Sequence, residues 1–300
     1  MNSMKRLDKT EIIFKVLSYF LLTVFALFCL YPFIYAISGA ISGEQAIQNG
    51  SVVLFPVDIQ FNAFMHVFND QLFWLSYANT LFITVFGTIW AMFLSILGAY
   101  GLSKSRLKFH KGLNFLLVFT MWFTPGIIPT KLNYDRTKNI MQALGILDEK
   151  WLVVIAMGIA AYNIILLRNA FASVPKEIEE AAQVDGANEF QIMSKVYVPM
   201  SKASIATVAL FYGVSRWNGY FWAAQEITSE TEKPLQVYIR KMVDAAFNSA
   251  GSDTPETYVG FDVTSLFYAM IVCAIVPIII IYPFIQKYFA AGVNLGGVKE

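Results

Sequence analysis

Six apolar runs separated by polar intervals set the pattern of this chain: residues 14–37, 77–102, 113–129, 151–167, 205–222 and 263–285. A helix needs about 20 apolar residues to cross a hydrocarbon core, with a range near 17–25. Each run therefore predicts a membrane-crossing helix, and the third, fourth and fifth are short. Pro32, Pro125, Pro277 and Pro283 fall in or beside the runs. Such prolines predict kinks inside a bundle, where neighbouring helices meet the freed carbonyls. The expected fold class is all-α, a polytopic bundle of six transmembrane helices.

The polar intervals are as informative as the runs. Residues 1–13 are basic, and the run behind them exceeds the roughly 7–15 apolar residues of a signal peptide, so it reads as a retained anchor helix. Residues 38–76 and 223–262 are the longest intervals. Within the second, PLQVYIRKMVDAAF has helix-like apolar spacing and predicts a short interfacial helix. The interval 171–203 reads differently. Pro175 followed by Glu177, Glu179 and Glu180 signals a helix start, and Gly186 suits a left-handed cap at its end. A second helix, NEFQIMSKVYV, runs on to Pro199. Ile178, Ala181, Ala182, Val184, Phe190, Ile192 and Val196 are too many apolar residues for a solvated loop, so something should cover this helix pair.

Composition agrees with the pattern. Of 300 residues, 57% are hydrophobic and 14% charged, where a soluble domain has about 45–50% and 25%. Mean hydropathy is +0.54. The net charge of +1 gives no basic field for nucleic acid. Lys and Arg set the orientation. With the N-terminus in the cytoplasm, thirteen fall on inner segments and seven on outer ones. The SKSRLKFHKG stretch (103–112) is the strongest signal. Both termini and the interval 171–203 then lie inside.

Most catalytic chemistry is missing. No GxxxxGK[ST], HExxH or GxSxG occurs, so ATP binding by this chain is not expected. Cys29 and Cys273 sit in apolar runs and suit small hydrophobes. No Cys/His spacing suggests a metal. Few charges enter the runs. Arg168 can snorkel to an interface, whereas SRWNGYFW groups Arg216, Trp217, Asn218 and Tyr220 near the outer end of a short run. A pathway role and an anchoring role are both open for that group. Acidic glycans would suit a basic group such as Arg216. An ion-coupled carrier would place acids or histidines in its spans, and these runs carry essentially none.

The interval 171–203 carries a resemblance. Glu180, Ala181, Ala182, Gly186, Val196, Val198 and Pro199 resemble the EAA motif of ATP-binding-cassette (ABC) importer permeases, EAA-x3-G-x9-[IV]-x-[LV]-P. Val198 stands where leucine is more common. ANTLFITVFGT, GAYGLSKSRLKF, LRNAFASVPKEIEEAA and GVNLGGVKE resemble the second permease of maltose-type carbohydrate importers, in the subgroup serving complex oligosaccharides.

The resemblance implies a type I importer permease fold in the bacterial cytoplasmic (inner) membrane. Residues 1–13 would be a cytoplasmic N-terminus, 14–290 the permease domain and 291–300 a cytoplasmic tail. The chain would be a transport subunit and not an enzyme. It would work with a second permease subunit, two ATP-binding subunits that hold ATP and Mg, and an extracytoplasmic sugar-binding protein. No cofactor would bind this chain itself. Segment 171–203 would be the coupling loop, with Glu180, Ala181, Ala182, Asp185, Gly186, Val196 and Pro199 at the ATPase contact. The tail residues Gly296, Gly297, Val298 and Lys299 would reach between the ATPase subunits, although Glu300 stands where the family often has glycine. Loop 223–262 would probe the binding protein. Trp122, Tyr134, Trp217, Tyr220 and Trp222 are pathway candidates, because aromatic faces stack on sugars, and Arg216 and Asn218 join them. Anchoring at the lipid interface is the alternative for these aromatics. The rival class for the whole chain is an ion-coupled carrier or channel acting without an ATPase.

Gly186→Pro should abolish oligosaccharide uptake while leaving expression of the subunit intact. Uptake assays with immunoblotting check this, and normal uptake in that variant would contradict the coupling assignment.

Overall fold

The computed structural model describes residues 9–123, 125–146, 148–249 and 263–293, and every regular element among them is a helix. In chain order they are α1 (Lys9–Ala40), α2 (Glu44–Gln48), α3 (Asn62–Asn69), α4 (Gln71–Ser103), α5 (His110–Trp122), α6 (Ile127–Ala143), α7 (Glu149–Ala156) and α8 (Ala161–Ala172). There follow α9 (Lys176–Val184), α10 (Glu189–Ile192), a π-helical turn (Met193–Tyr197), α11 (Val198–Met200), α12 (Lys202–Trp217) and α13 (Phe221–Glu226). A 3-10 turn (Glu230–Glu232), α14 (Leu235–Ser249) and α15 (Val263–Val293) complete the order.

Among the described residues, three helices are long and apolar enough to cross a membrane: Thr10–Ala40, Gln71–Ser103 and Val263–Pro283. Two bent pairs, α5–α6 and α7–α8, raise the number to five if each is one span. The apolar run 113–129 is therefore not one straight helix. The chain leaves α5 after Trp122, and Gly126 takes φ +81° before α6 begins. α6 occupies a stretch expected to be outer loop, because its polar residues hide it from a hydropathy reading. The run 151–167 is likewise two helices meeting at 52°. The run 205–222 is α12, ended at Asn218, followed by the separate α13. α14 confirms the expected short helix.

Residues divide into two compact units. Of the described residues, one unit takes those within 1–71 and 241–276, and the other those within 72–240 and 277–300. In the first, Tyr268 meets Tyr35 edge-on at 5.5 Å. Gly39 makes room for the Tyr268 ring, since a Cβ there would lie 2.5 Å from its Cδ2. The loop after α2 is tied back by Ser38 Oγ donating to the Leu54 carbonyl (2.7 Å) and Val57 N–H donating to Ser42 Oγ (3.1 Å).

The second unit is built on α4. Gly87, Ala91, Ser95 and Ala99 recur every four residues, and all four are buried. Small residues in such a row let membrane helices approach closely. Ile164, Leu167, Val208 and Tyr212 share a core cluster with Ala91 and Ala99. Near the Gln71 end, Asn79 donates to the Thr231 carbonyl (2.8 Å), and Thr80 Oγ1 accepts from Leu235 N–H (2.7 Å). These two bonds fix the start of α14 against α4.

The break between α7 and α8 exposes backbone groups that lipid cannot satisfy. α12 supplies their partners one turn apart. Tyr212 Oη accepts from Ala160 N–H (3.0 Å), and Arg216 donates from Nη2 to the Gly158 carbonyl (2.7 Å). Gly158 itself takes φ +60°. A cation at the end of α7 also suits the negative end of that helix dipole. The Tyr212 hydroxyl further bonds Ser95 at 2.7 Å, which joins the break to the small-residue row.

Tyr212→Phe keeps the ring and removes these bonds. It should destabilise the subunit by about 1 kcal/mol, visible as a lower midpoint in thermal unfolding of the detergent-solubilised protein. An unchanged midpoint would contradict this role.

Candidate coupling site and pathway cavity

The helix pair expected in 171–203 is present. Pro175 is the N-cap of α9, and Asp185 is its C-cap. Gly186 follows at φ +79°, a conformation that costs any residue with a Cβ. Gly186 N–H donates to the Gln183 carbonyl and Ala187 N–H to the Ala182 carbonyl, both at 3.0 Å, which closes a Schellman motif. Asn188 then opens α10 with a capping box, its side chain taking Gln191 N–H while the Gln191 side chain takes Asn188 N–H, both at 2.9 Å. The ensuing π turn places Tyr197 inward, where it is buried.

The pair has two faces. Ala182, Ala187, Ile192, Met193, Val196 and Tyr197 pack into the core shared by α4, α8 and α12. Glu180, Ala181, Asp185, Gly186 and Pro199 are exposed, as are Ile178, Val184 and Phe190. Val184 is 87% exposed and Phe190 66%, so the outer face sets large apolar side chains among charged ones such as Glu180 and Asp185. The predicted coupling residues thus divide, with Ala182 and Val196 inward and the rest outward.

Sequence reasoning missed what holds the pair in place. The consecutive acids Glu179 and Glu180 point apart. Glu179 meets Lys104 Nζ at 2.6 Å and accepts from the Tyr197 hydroxyl at 2.5 Å. Lys104 also donates to Tyr197 Oη at 2.8 Å and lies over the rings of Tyr197 and Tyr100, 3.9 and 4.5 Å from their centroids. α10 is tied to the same end of α4, because Glu189 accepts from Tyr100 Oη at 2.6 Å and pairs with Arg106. Burial alone would raise the Glu179 carboxyl, but Lys104, Tyr197 and Arg106 hold it below its ordinary value. The Tyr100 hydroxyl and Arg106 do the same for Glu189 against a smaller effect of burial. Burial and then the Glu179 charge push the Tyr197 phenol up. The signal in the sequence was the adjacency of two glutamates on one short helix. Their directions differ by about 100° at 3.6 residues per turn, so the two carboxylates leave α9 on different sides, although nothing local in the sequence names Lys104 as the partner of either.

The SRWNGYFW group forms part of a cavity of about 370 Å³, lined by Ile83, Val153, Met157, Ala223, Phe221 and Gly219 together with Arg216, Asn218, Tyr220 and Trp222. Arg216 is buried at 4% exposure, and among the described residues its Nε has no hydrogen-bond acceptor. Gly87 lies against its stem, where a Cβ would stand 3.2 Å from Cδ and Nε. Tyr134 is buried and stacks on Trp222 at 4.9 Å and 17°. The structure therefore brings Tyr134, Arg216, Asn218, Tyr220 and Trp222 together. Trp217 is instead buried edge-on against Tyr77 at 5.8 Å, and Trp122 is 82% exposed at the end of α5. Neither lines the cavity. Glu226 and Lys131 are a further missed pair beside Tyr134 and Trp222, joined at 2.9 Å with the carboxylate buried. Gly296, Gly297, Val298 and Lys299, and residues 250–262 of the expected outer loop, lie outside the described residues.

A helical membrane protein with a capped helix pair beside its fifth apolar run and an aromatic cavity holding one buried arginine fits a class, the solute-moving permeases. Comparison with known proteins narrows it. Residues 111–295 match the family model of the binding-protein-dependent transport system inner membrane component. The chain belongs to that family, and it is a transport subunit rather than an enzyme. It is 37% identical to the polygalacturonan/rhamnogalacturonan transport system permease protein YtcP of Bacillus subtilis (strain 168), over 96% of this chain and 98% of that one. The maltodextrin transport system permease protein MdxG of the same organism is 26% identical, over 95% and 96%. Among solved structures, a chain of a bacterial ABC transporter involved in the import of the acidic polysaccharide alginate is 43% identical, with TM-score 0.81 over 95% of this chain and all of that one. A chain from a bacterial alginate ABC transporter bound to a pentasaccharide-loaded periplasmic protein shares the fold at 17% identity and TM-score 0.63, over 94% and 96%.

Glu179→Gln should destabilise the subunit by about 1–3 kcal/mol by leaving the buried Lys104 ammonium unpaired, whereas Glu180→Ala should leave thermal unfolding unchanged. Because both Glu179 and Glu189 are depressed, their stabilisation is fully present above the ordinary value of 4.5 and is lost as pH falls through the lower folded values. Equal unfolding midpoints for wild type and Glu179→Gln at neutral pH would contradict the assignment.

Proposed function

We propose that this chain is one of two permease subunits of an ATP-driven importer for acidic oligosaccharides. Six crossings would leave both termini in the cytoplasm of a bacterial cell, with α12 as the fifth crossing. Two ATP-binding subunits would carry ATP and Mg, and an extracytoplasmic binding protein would deliver the sugar. The exposed face of the 171–203 helix pair, with Glu180, Asp185 and Gly186, is the surface that would sit in the ATPase cleft. ATPase closure would then move the helix pair and turn the pathway outward as a rigid-body change.

The observation that carries the substrate class is the cavity at Arg216. Tyr220, Phe221 and Trp222 give it aromatic faces, which stack on sugar rings, and Arg216 adds a buried cation. A guanidinium favours carboxylate oxygens through its fixed fork of donors, and this one gives one hydrogen bond, from Nη2 to the Gly158 carbonyl, to its own fold. Similarity to permeases of polygalacturonan/rhamnogalacturonan and alginate transporters supports the same reading.

The test reconstitutes the chain with its partner subunits and compares binding-protein-dependent uptake of tetragalacturonate, tetramannuronate and maltotetraose. One of the acidic sugars should be taken up well above maltotetraose, and Arg216→Lys should narrow that difference. Equal or faster uptake of maltotetraose would overturn the acidic class.

A further inference from the structure

Lys104 is an unusual place to keep a lysine. It follows the last residue of α4, yet its side chain is only 8% exposed, enclosed by Glu179 and by the rings of Tyr100 and Tyr197. Removing an ammonium from water is expensive unless the geometry around it is complete. Here it is complete: one carboxylate oxygen at 2.6 Å, one phenolic oxygen at 2.8 Å and two aromatic faces. An apolar residue would pack there at lower cost, which makes fixed position the better reason for the charge.

The partners of Lys104 come from the two ends of the helix pair. Glu179 lies on α9, and Tyr197 ends the π turn. The Tyr197 hydroxyl also donates to Glu179, so the three groups close a triangle. A π turn inserts one extra residue per turn and is frequent at functional positions. In this chain it delivers Tyr197 to the triangle. Arg106 and Tyr100 hold α10 through Glu189, so both helices are referred to one end of α4. The apolar outer residues Val184 and Phe190 stand on the opposite, exposed face. α4 in turn carries Gly87 against Arg216 and Ser95 against Tyr212. A run of hydrogen bonds and packing contacts along α4 therefore connects the helix pair to the cavity.

We propose that Lys104, Glu179 and Tyr197 are positioning residues that transmit displacement of the 171–203 helix pair to α4, and through α4 to the Arg216 cavity. The inference rests on the reading of this chain as an ATP-driven permease. It assigns consecutive glutamates different tasks: Glu180 faces a partner, and Glu179 passes the motion inward. A loose inner face would let the helix pair move without moving α4, and ATP would be hydrolysed without transport.

The test uses the complete importer in proteoliposomes, with ATP hydrolysis and sugar uptake measured together and retention of the ATPase subunits checked by co-purification. Lys104→Met, Glu179→Gln and Tyr197→Phe should each keep the ATPase subunits bound and keep hydrolysis responsive to the binding protein. Uptake per ATP should fall by at least about fivefold, the lower end of a typical coupling energy. Lys104→Arg should retain most of the uptake, and Lys104→Met/Glu179→Gln should be no worse than the weaker single variant, as expected for one shared interaction. Unchanged uptake per ATP in the single variants would overturn the proposal. So would loss of ATPase subunits in parallel with uptake, which would reduce the triangle to a support for the docking surface. Wild-type uptake that needs no ATPase would instead overturn the transport reading itself.

Discussion

A backbone group exposed to lipid has nowhere to bond, and this constraint organises the larger unit of the protein. The fourth apolar run is not a helix throughout. It breaks at residues 157–160, and the freed carbonyl of Gly158 and N–H of Ala160 must find partners. Both come from α12, as a guanidinium and a phenol four residues apart. α4 accommodates both groups, with Gly87 against the Arg216 stem and Ser95 bonded to the Tyr212 hydroxyl. Broken helix, polar helix and small-residue row depend on one another. The cavity lies beside the break, and Arg216 serves both, lining the one and bonding the carbonyl freed by the other.

The same logic operates at the other end of α4. Two short helices have little stability of their own in water. Caps define them: Gly186 with its left-handed turn, and Asn188 with its box. Packing on Ile192 and Tyr197 and the buried pair of Lys104 with Glu179 then fix their direction. The outer face leaves Val184 and Phe190 exposed among charged residues, which suits a partner surface. Under the proposed coupling role, such a divided element would give one face to the partner and keep the other for the protein's own core.

Much of this was legible in the sequence. Hydropathy located the three longest helices, α1, α4 and α15, whose ends lie up to eight residues from the apolar runs. The motif around Glu180 and Gly186 identified the helix pair and its turn. Breaks were harder to read. Apolar composition is the same on both sides of Gly158, so no average over a window marks the bend. α6 was missed because it carries Lys131, Asn133, Asp135 and Arg136, which read as loop. The Lys104–Glu179 pair joins residues far apart in sequence, and no local pattern predicts it. Arg216 was singled out as a charge in an apolar run, but its bond to Gly158 required the break to be seen first.

The central claim is that motion of this chain is driven by ATP bound in partner subunits and not by an ion gradient. Proteoliposomes containing both permease subunits, with and without the ATPase subunits, measure it most directly when the loaded binding protein is supplied on the side opposite the ATP. The account predicts sugar accumulation only when ATP and the ATPase subunits are both present, unaffected by collapsing proton and sodium gradients. Accumulation by the permease subunits alone, abolished when those gradients collapse, would contradict it.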